Sequence, residues 1–94
     1  MPRAILEGEV LAESDLTVVV EGSHYFPPES VKRDLFSRTE HQTSCPWKGV
    51  ASYYTVTIDG RSWDDVAWFY PTPKDAAAEI RDHVAFYPAV TVET

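Results

Sequence analysis

Cysteine is almost absent from this chain, because Cys45 is the only one among its 94 residues. One cysteine cannot close an internal disulfide, and a single chain cannot build a four-cysteine zinc site from it. This cysteine usage predicts a protein of a reducing compartment, and we expect it in the cytoplasm.

Positive charge is scarce as well. The chain has 8 Lys and Arg against 15 Asp and Glu, which gives a formal net charge of -7 at pH 7. Such a balance repels phosphate backbones and leaves no basic stripe for a nucleic acid. We therefore expect no nucleic-acid partner.

Long apolar runs are also missing. No window approaches the roughly 20 apolar residues of a membrane-spanning helix, and residues 1–7 contain no apolar stretch of signal-peptide length. Hydrophobic residues nevertheless make up 44% of the chain, a normal fraction for a globular protein. We expect one soluble, unexported domain over residues 1–94, with no membrane partner.

The chain does contain a series of short β-strand patterns. The clearest covers residues 50–58, where alternation places Tyr54 and Val56 on one face and Tyr53 and Thr55 on the other. Asp59-Gly60 follows as a type I′ turn signal, residues 61–63 begin the return strand, and residues 66–70 form another strand-like run. Further strands are expected at residues 8–14 and 16–21, paired as a hairpin, and at residues 24–26, 84–87 and 90–92.

Two short helices and one loop complete the predicted organisation. Prolines at a helix start favour a short helix over residues 31–35, and an alanine-rich segment favours another over residues 75–82. The polar segment 36–44 is expected to be a loop that leads to a constrained corner at residues 45–49, where Gly49 permits close backbone approach. These patterns predict a mainly β, antiparallel domain with one or two short helices.

Histidine and aromatic residues are the most informative candidates for a site. The chain has 3 Trp, 5 Tyr and 4 Phe, and several of them must fill the core. Alternation places His83 on one face with Tyr87, while His24 precedes another aromatic pair. His24 and His83 are therefore the candidate metal ligands, with a structural hydrogen-bonding role as the alternative for each. His41, in the polar segment, is expected to be solvated.

Cys45 is the candidate nucleophile. Lys48 follows three residues later, and its ammonium would stabilise a thiolate if the corner folds it back. The alternative is that Cys45 is an inert, small apolar side chain and that Pro46 only shapes the corner. The carboxylates of Asp64 and Asp65 are expected to lie in a solvent-facing turn.

Four ordered motifs resemble the DUF427 family of small bacterial domains of unassigned function. They are YFPPESV at residues 25–31, TSCPWKGVASYY at residues 43–54, VAWFYPTP at residues 66–73 and DHVAFY at residues 82–87. The resemblance covers nearly the whole chain and implies a β-tent-like fold of two small antiparallel sheets. Other families of that class hold a structural zinc with paired cysteines. These pairs are missing here, so we expect no structural zinc.

The resemblance also implies a set of site residues. The family's recurrent polar and aromatic positions are matched here by Tyr25, Cys45, Lys48, Tyr53, Trp68 and His83. We expect them to form a binding module whose aromatic cleft, with Tyr87 beside His83, accepts a flat cofactor or small molecule. His83 would be the polar anchor and Lys48 the partner of a ligand carboxylate. Non-covalent haem is the most concrete ligand, with His24 as a second axial candidate.

Two other classes of function stay open. The first is an enzyme that acts on a small metabolite through Cys45 as nucleophile or His83 as general base. The second is a structural interaction domain with a protein partner. The edge formed by residues 90–92 could pair across a two-fold axis, which predicts a homodimer.

Overall fold

Nine short strands account for most of the chain, and each pairs with its neighbours in antiparallel fashion. In the computed structural model, which describes residues 1–94, the strands are β1 (Arg3–Leu6), β2 (Glu9–Glu13), β3 (Val18–Val20), β4 (Ser23–Tyr25), β5 (Phe36–Cys45), β6 (Gly49–Ile58), β7 (Arg61–Phe69), β8 (Val84–Phe86) and β9 (Thr91–Glu93). Three short 3-10 segments accompany them at Pro28–Ser30, Arg33–Leu35 and Asp75–Ile80. The predicted mainly β, antiparallel fold is confirmed.

The strands form three sheets, and two of these sheets are joined at one edge. A four-stranded sheet has the order β5-β6-β7-β8, a three-stranded sheet has the order β2-β1-β9, and β3 and β4 form a hairpin. Phe26, just after β4, exchanges two backbone hydrogen bonds of 2.8 Å with Val84 at the start of β8. The hairpin therefore extends the four-stranded sheet beyond β8.

The four-stranded sheet carries one apolar cluster on each face. Val56 and Ile58 of β6 pack with Leu6 and Leu11 of the three-stranded sheet in the first cluster. Ala51 and Tyr53 point to the opposite face and belong to the second cluster, which is formed by Tyr25, Ala51, Tyr53, Tyr70, Ala77, Ile80 and Ala85. Burying each large aliphatic side chain stabilises the fold by about 1.5–3 kcal/mol. The two faces predicted for β6 are confirmed.

Three hairpins close with the same two-residue turn. Asp59-Gly60 has positive φ at both residues (48° and 79°), the type I′ geometry that its sequence predicted. Glu7-Gly8 and Glu21-Gly22 adopt the same conformation. The predicted pairing of residues 8–14 with residues 16–21 is therefore wrong, because these Glu-Gly turns pair β2 with β1 and β3 with β4.

Two other predictions of local structure are corrected. Residues 36–44 are not a loop but most of β5, which pairs with β6 from Phe36 to Cys45. The expected helices over residues 31–35 and 75–82 are 3-10 segments at Arg33–Leu35 and Asp75–Ile80. In the second of these, Ala77 interrupts the helical backbone with φ -121° and ψ 21°.

The strand β9 is exposed at one edge of the three-stranded sheet. Residues 91–93 form this strand, and its pairing with a second copy of the chain stays a prediction. None of the helical segments has the length and apolar character needed to cross a bilayer.

Candidate functional site

Four aromatic side chains from separate segments meet on one side of the four-stranded sheet. Tyr25 comes from β4, Tyr53 from β6, Trp68 from β7 and Tyr87 from the residues that follow β8. We call this group the aromatic face. Tyr53 and Trp68 are direct cross-strand partners, and Tyr87 N donates to the carbonyl of Val66 on β7 at 2.9 Å. Antiparallel register therefore sets these rings side by side.

The rings of the aromatic face lie beside one another at different angles, and those of Tyr53 and Tyr87 are nearly parallel, with centroids 6.2 Å apart. The centroids of Trp68 and Tyr87 are 4.8 Å apart, and the Tyr25 ring meets Trp68 at 6.2 Å in a T-shaped arrangement. Tyr25 and Tyr53 are buried, Trp68 is half-buried, and Tyr87 is 42% exposed. The face thus runs from core packing at Tyr25 to an accessible ring at Tyr87.

Hydrogen bonds fix the polar ends of these side chains. The indole Nε1 of Trp68 donates to the Tyr25 hydroxyl at 3.1 Å. The hydroxyls of Tyr53 and Tyr87 lie 3.2 Å apart, and Thr43 Oγ1 is 2.9 Å from the Tyr53 hydroxyl. The hydrogen bond with Tyr53, followed by burial, raises the pKa of Tyr87 to about 12.

Lys48 lies beside the second cluster, but its charge is already neutralised. The side chain is 10% exposed, its Nζ donates to the carboxylate of Glu21, and it lies 5.7 Å from the centre of the Tyr70 ring. Burial lowers the pKa of Lys48, but the hydrogen bond to Glu21 and the nearby tyrosines outweigh it and leave the pKa raised. The same hydrogen bond lowers the pKa of Glu21. Lys48 is thus a paired cation.

The corner that holds Lys48 has the close backbone contact expected of Gly49. Gly49 has φ +113°, and a Cβ placed there would lie 3.4 Å from the carbonyl oxygen of Thr72. Lys74 N donates to the Lys48 carbonyl at 2.9 Å, which holds residues 72–74 against the corner.

The two candidate metal-ligating histidines are not brought together. His83 Nδ1 lies 2.8 Å from the carbonyl oxygen of Arg81, so Nδ1 is the donor, and in the neutral imidazole the lone pair is then on Nε2. His24 Nδ1 is 3.1 Å from Thr17 Oγ1. Phe26 and Val84 are bridge partners, and side chains alternate between the two faces of the sheet on either side of this bridge. His24 is therefore directed to the face opposite Tyr25, whereas His83 is directed to the face that carries Ala85.

Cys45 has the surroundings of a packed side chain. It pairs with Gly49 at the end of β5, is half-buried, and contacts the second cluster. The structure contains no group of three His, Cys, Asp or Glu side chains placed to share a metal ion.

Two residues of the site went unrecognised in the sequence. His41 is exposed on β5, and its ring lies 4.5 Å from that of Tyr53. Asp65 lies in a bulge of β7 rather than in a turn, and its Oδ1 accepts a 2.7 Å hydrogen bond from Thr39 on β5. The paired residues Asp64-Asp65 were the available signal, but their spacing predicts no bulge.

The aromatic face is a surface rather than a cleft. The concave regions of the molecule are a groove of about 490 Å³ beside Ser52 and Lys74, another of about 380 Å³ beside Arg3 and Lys32, and a small cavity of about 50 Å³ beneath Tyr54. None of them is lined by His83 or by a residue of the aromatic face. A ligand of this face would therefore lie against the rings.

Comparison with known proteins agrees with the sequence motifs. No curated protein matches the chain. Residues 2–94 match the family described as a domain of unknown function (DUF427). Since this match spans essentially the whole chain, the protein belongs to the DUF427 family.

Proposed function

We propose that this chain is a small-molecule binding module that holds a flat ring against Trp68 and Tyr87. The observation that supports this proposal is the assembly of the aromatic face from four separate segments, with its outer rings accessible. Stacked or edge-to-face aromatic contacts contribute about 0.5–1.5 kcal/mol beyond the area they bury. A ligand ring of similar size therefore has a suitable partner surface.

The hydrogen bonds at the edge of the face favour binding because they hold the rings in place beforehand. Immobilising a flexible side chain on binding costs about 0.5–1.5 kcal/mol. Trp68 is held by Tyr25, and Tyr87 by Tyr53, so this cost is met during folding. A core role alone would not require the outermost ring to remain 42% exposed.

Titration with quinoline tests the proposal. In ¹H–¹⁵N NMR spectra we expect the indole signal of Trp68 to shift, while that of Trp63, which packs under Arg61 elsewhere, stays unchanged. Tyr87→Ala removes an accessible ring without opening the core and should weaken binding about twofold to tenfold, the loss of one aromatic contact. Trp47→Ala, at another exposed ring, is the matched control. Shifts that do not distinguish Trp68 from Trp63 would contradict the proposal.

Non-covalent haem is the narrower form of this proposal, with His83 as a single axial ligand. Its support is the hydrogen bond from His83 Nδ1 to the carbonyl of Arg81, because the neutral imidazole in this tautomer would ligate iron through Nε2. His24 is directed to the other face, and Lys48 is paired with Glu21, so neither completes the expected haem site. Haem binding would therefore depend on one imidazole.

The absorption spectrum of haemin tests this narrower form. Binding through His83 should produce a sharp Soret band that is lost in His83→Ala and retained in His24→Ala. A haemin spectrum that the protein leaves unchanged would end the haem hypothesis, while the quinoline experiment would still decide whether the aromatic face binds a ring.

A further inference from the structure

A carboxylate without a basic partner lies at the edge of the aromatic face. Between the pairs Tyr54–Ala67 and Val56–Trp63, three residues of β7 lie opposite the single residue Thr55 of β6. Asp65 is the middle residue of this bulge and has φ 51°, a left-handed conformation. Bulges change the direction of a side chain relative to regular alternation. Here the carboxylate of Asp65 reaches Thr39 on β5.

Hydrogen bonds place this carboxylate close to the rings. Thr39 Oγ1 donates to Asp65 and accepts from the backbone N–H of His41, whose ring lies against Tyr53. On the other side, Tyr87 is bonded to the backbone of Val66, the neighbour of Asp65. The Asp65 charge is also one of the influences that raise the pKa of Tyr87.

The charges around the face leave Asp65 without a cation. None of the six ion pairs of the molecule includes Asp65, and its neighbour Asp64 is likewise unpaired with a base. Lys48, a cation beside the second cluster, is bound to Glu21. With a formal charge of -7 for the whole chain, an anionic ligand would be repelled and a cationic one attracted.

We propose that the ligand of the aromatic face is a flat organic cation, with its ring against Trp68 and Tyr87 and its charge close to Asp65. This inference rests on the proposed binding function and specifies the chemical class of the ligand. Two independent features point to the same class, because aromatic faces attract cations through their quadrupole and a nearby carboxylate adds direct attraction. Tyrosine and tryptophan rings are the usual walls of sites for quaternary ammonium groups.

Three probes of similar size and different charge test the inference. They are N-methylquinolinium, which is a cation, quinoline, which is neutral at pH 7, and 2-naphthoate, which is an anion. We expect N-methylquinolinium to bind about tenfold more tightly than quinoline at low salt, with 2-naphthoate weaker still. The advantage of the cation should shrink as salt is raised, because the charge is at the surface.

Asp65→Asn is the decisive variant, and it should bring the affinity ratio of N-methylquinolinium to quinoline close to one. Asp59→Asn makes the same change of net charge in an exposed hairpin turn and should leave the ratio unchanged. Equal affinities of the native protein for cation and neutral ring would overturn the inference and leave the binding function intact. Absence of binding by all three probes would overturn both. A thermal melt of Asp65→Asn establishes that the variant is folded at the temperature of the titration.

Discussion

The hydroxyl of Tyr25 tests whether hydrogen bonds fix the aromatic face. Tyr25 is 1% exposed, and its hydroxyl accepts the indole N–H of Trp68 at 3.1 Å. Tyr25→Phe keeps the ring and removes only the acceptor. An indole N–H can donate but not accept, so in the variant it must bind water or lose its hydrogen bond.

The expected cost follows from the burial of the two partners. A buried donor left without an acceptor costs about 1–3 kcal/mol, and water can recover part of this at a half-buried indole. We therefore expect Tyr25→Phe to lower the free energy of unfolding by about 1–1.5 kcal/mol. In a domain of this size, about 1 kcal/mol lowers the Tm by roughly 4–8 °C.

Tyr53→Phe is the matched control, because Tyr53 is a second buried tyrosine on the same face. Its hydroxyl contacts Thr43 and Tyr87, which are both exposed and can turn to water. We expect a loss within about 0.5 kcal/mol, as for substitutions that leave no buried group unpaired.

Urea unfolding and the Trp68 indole resonance measure the two variants. Tyr25→Phe should lower the urea midpoint and shift the indole N–H signal, whereas Tyr53→Phe should do neither to a comparable extent. Equal stability losses in the two variants, or an unmoved indole signal in Tyr25→Phe, would refute the account in which the Trp68–Tyr25 bond fixes the face.

Three further predictions concern other parts of the site. Because the pKa of Tyr87 is raised from 10.0 to about 12, the folded state keeps its proton longer than the unfolded state, and stability is lost as pH rises through this interval. Tyr87→Phe should lose less stability between those pH values in urea unfolding, and an identical loss would contradict the assignment. Glu21 has a lowered pKa, so its contribution is present above 4.5 and lost as pH falls below that value. Glu21→Gln should remove this acid-induced loss and reduce stability at neutral pH, unlike the control Glu29→Gln at an exposed position. Gly49→Ala should destabilise the fold by about 1–3 kcal/mol, because Gly49 has a positive φ and a Cβ there would be in contact with the Thr72 backbone. Gly60→Ala, with open space around it, should cost less in a thermal melt.

The strand β6 was predictable because its alternating side chains form two distinct faces. Val56 and Tyr53 of β6 point into separate apolar clusters, so alternation was visible in the sequence. The Asp59-Gly60 turn was predictable for the same local reason, since its residues favour positive φ. Glu7-Gly8 and Glu21-Gly22 form the same turn, but glutamate, unlike aspartate, is not a typical first residue of it. The β1–β2 and β3–β4 hairpins were therefore not predicted, and residues 8–14 were paired with residues 16–21 instead.

β5 was missed because it is an edge strand with little apolar surface. Most of its residues are exposed, and its place in the sheet depends on backbone pairing with β6. Edge strands are commonly polar, since polar side chains discourage pairing with other chains.

The helix predicted over residues 75–82 was too long, because it was inferred from helix propensity alone. Only Ala77 and Ile80 are buried there, which is too small an apolar face to hold a longer helix.

Residues of the candidate site were predictable where they lie on regular strands. They were missed where the pairing register between two strands shifts. The resemblance to the DUF427 family pointed to Tyr53 and Trp68, alternation pointed to Tyr87, and the sheet brings these three side chains together. His41 and Asp65 instead lie at the two register shifts that flank β6.

The bulge in β7 carries the carboxylate of Asp65, which lies at the edge of the aromatic face. A bulge removes the two-residue period on which the sequence argument depends, and it redirects one side chain without altering the composition of the strand. The resemblance to the DUF427 family had instead implied a ligand carboxylate bound by Lys48, a residue that lies away from both register shifts. In the folded chain Lys48 forms an ion pair with Glu21. The bulge, in contrast, brings the carboxylate of Asp65 towards the rings. The bulge at Asp65 and the pairing of Lys48 with Glu21 together reverse the ligand charge that we propose, and the comparison of cationic, neutral and anionic probes tests that reversal.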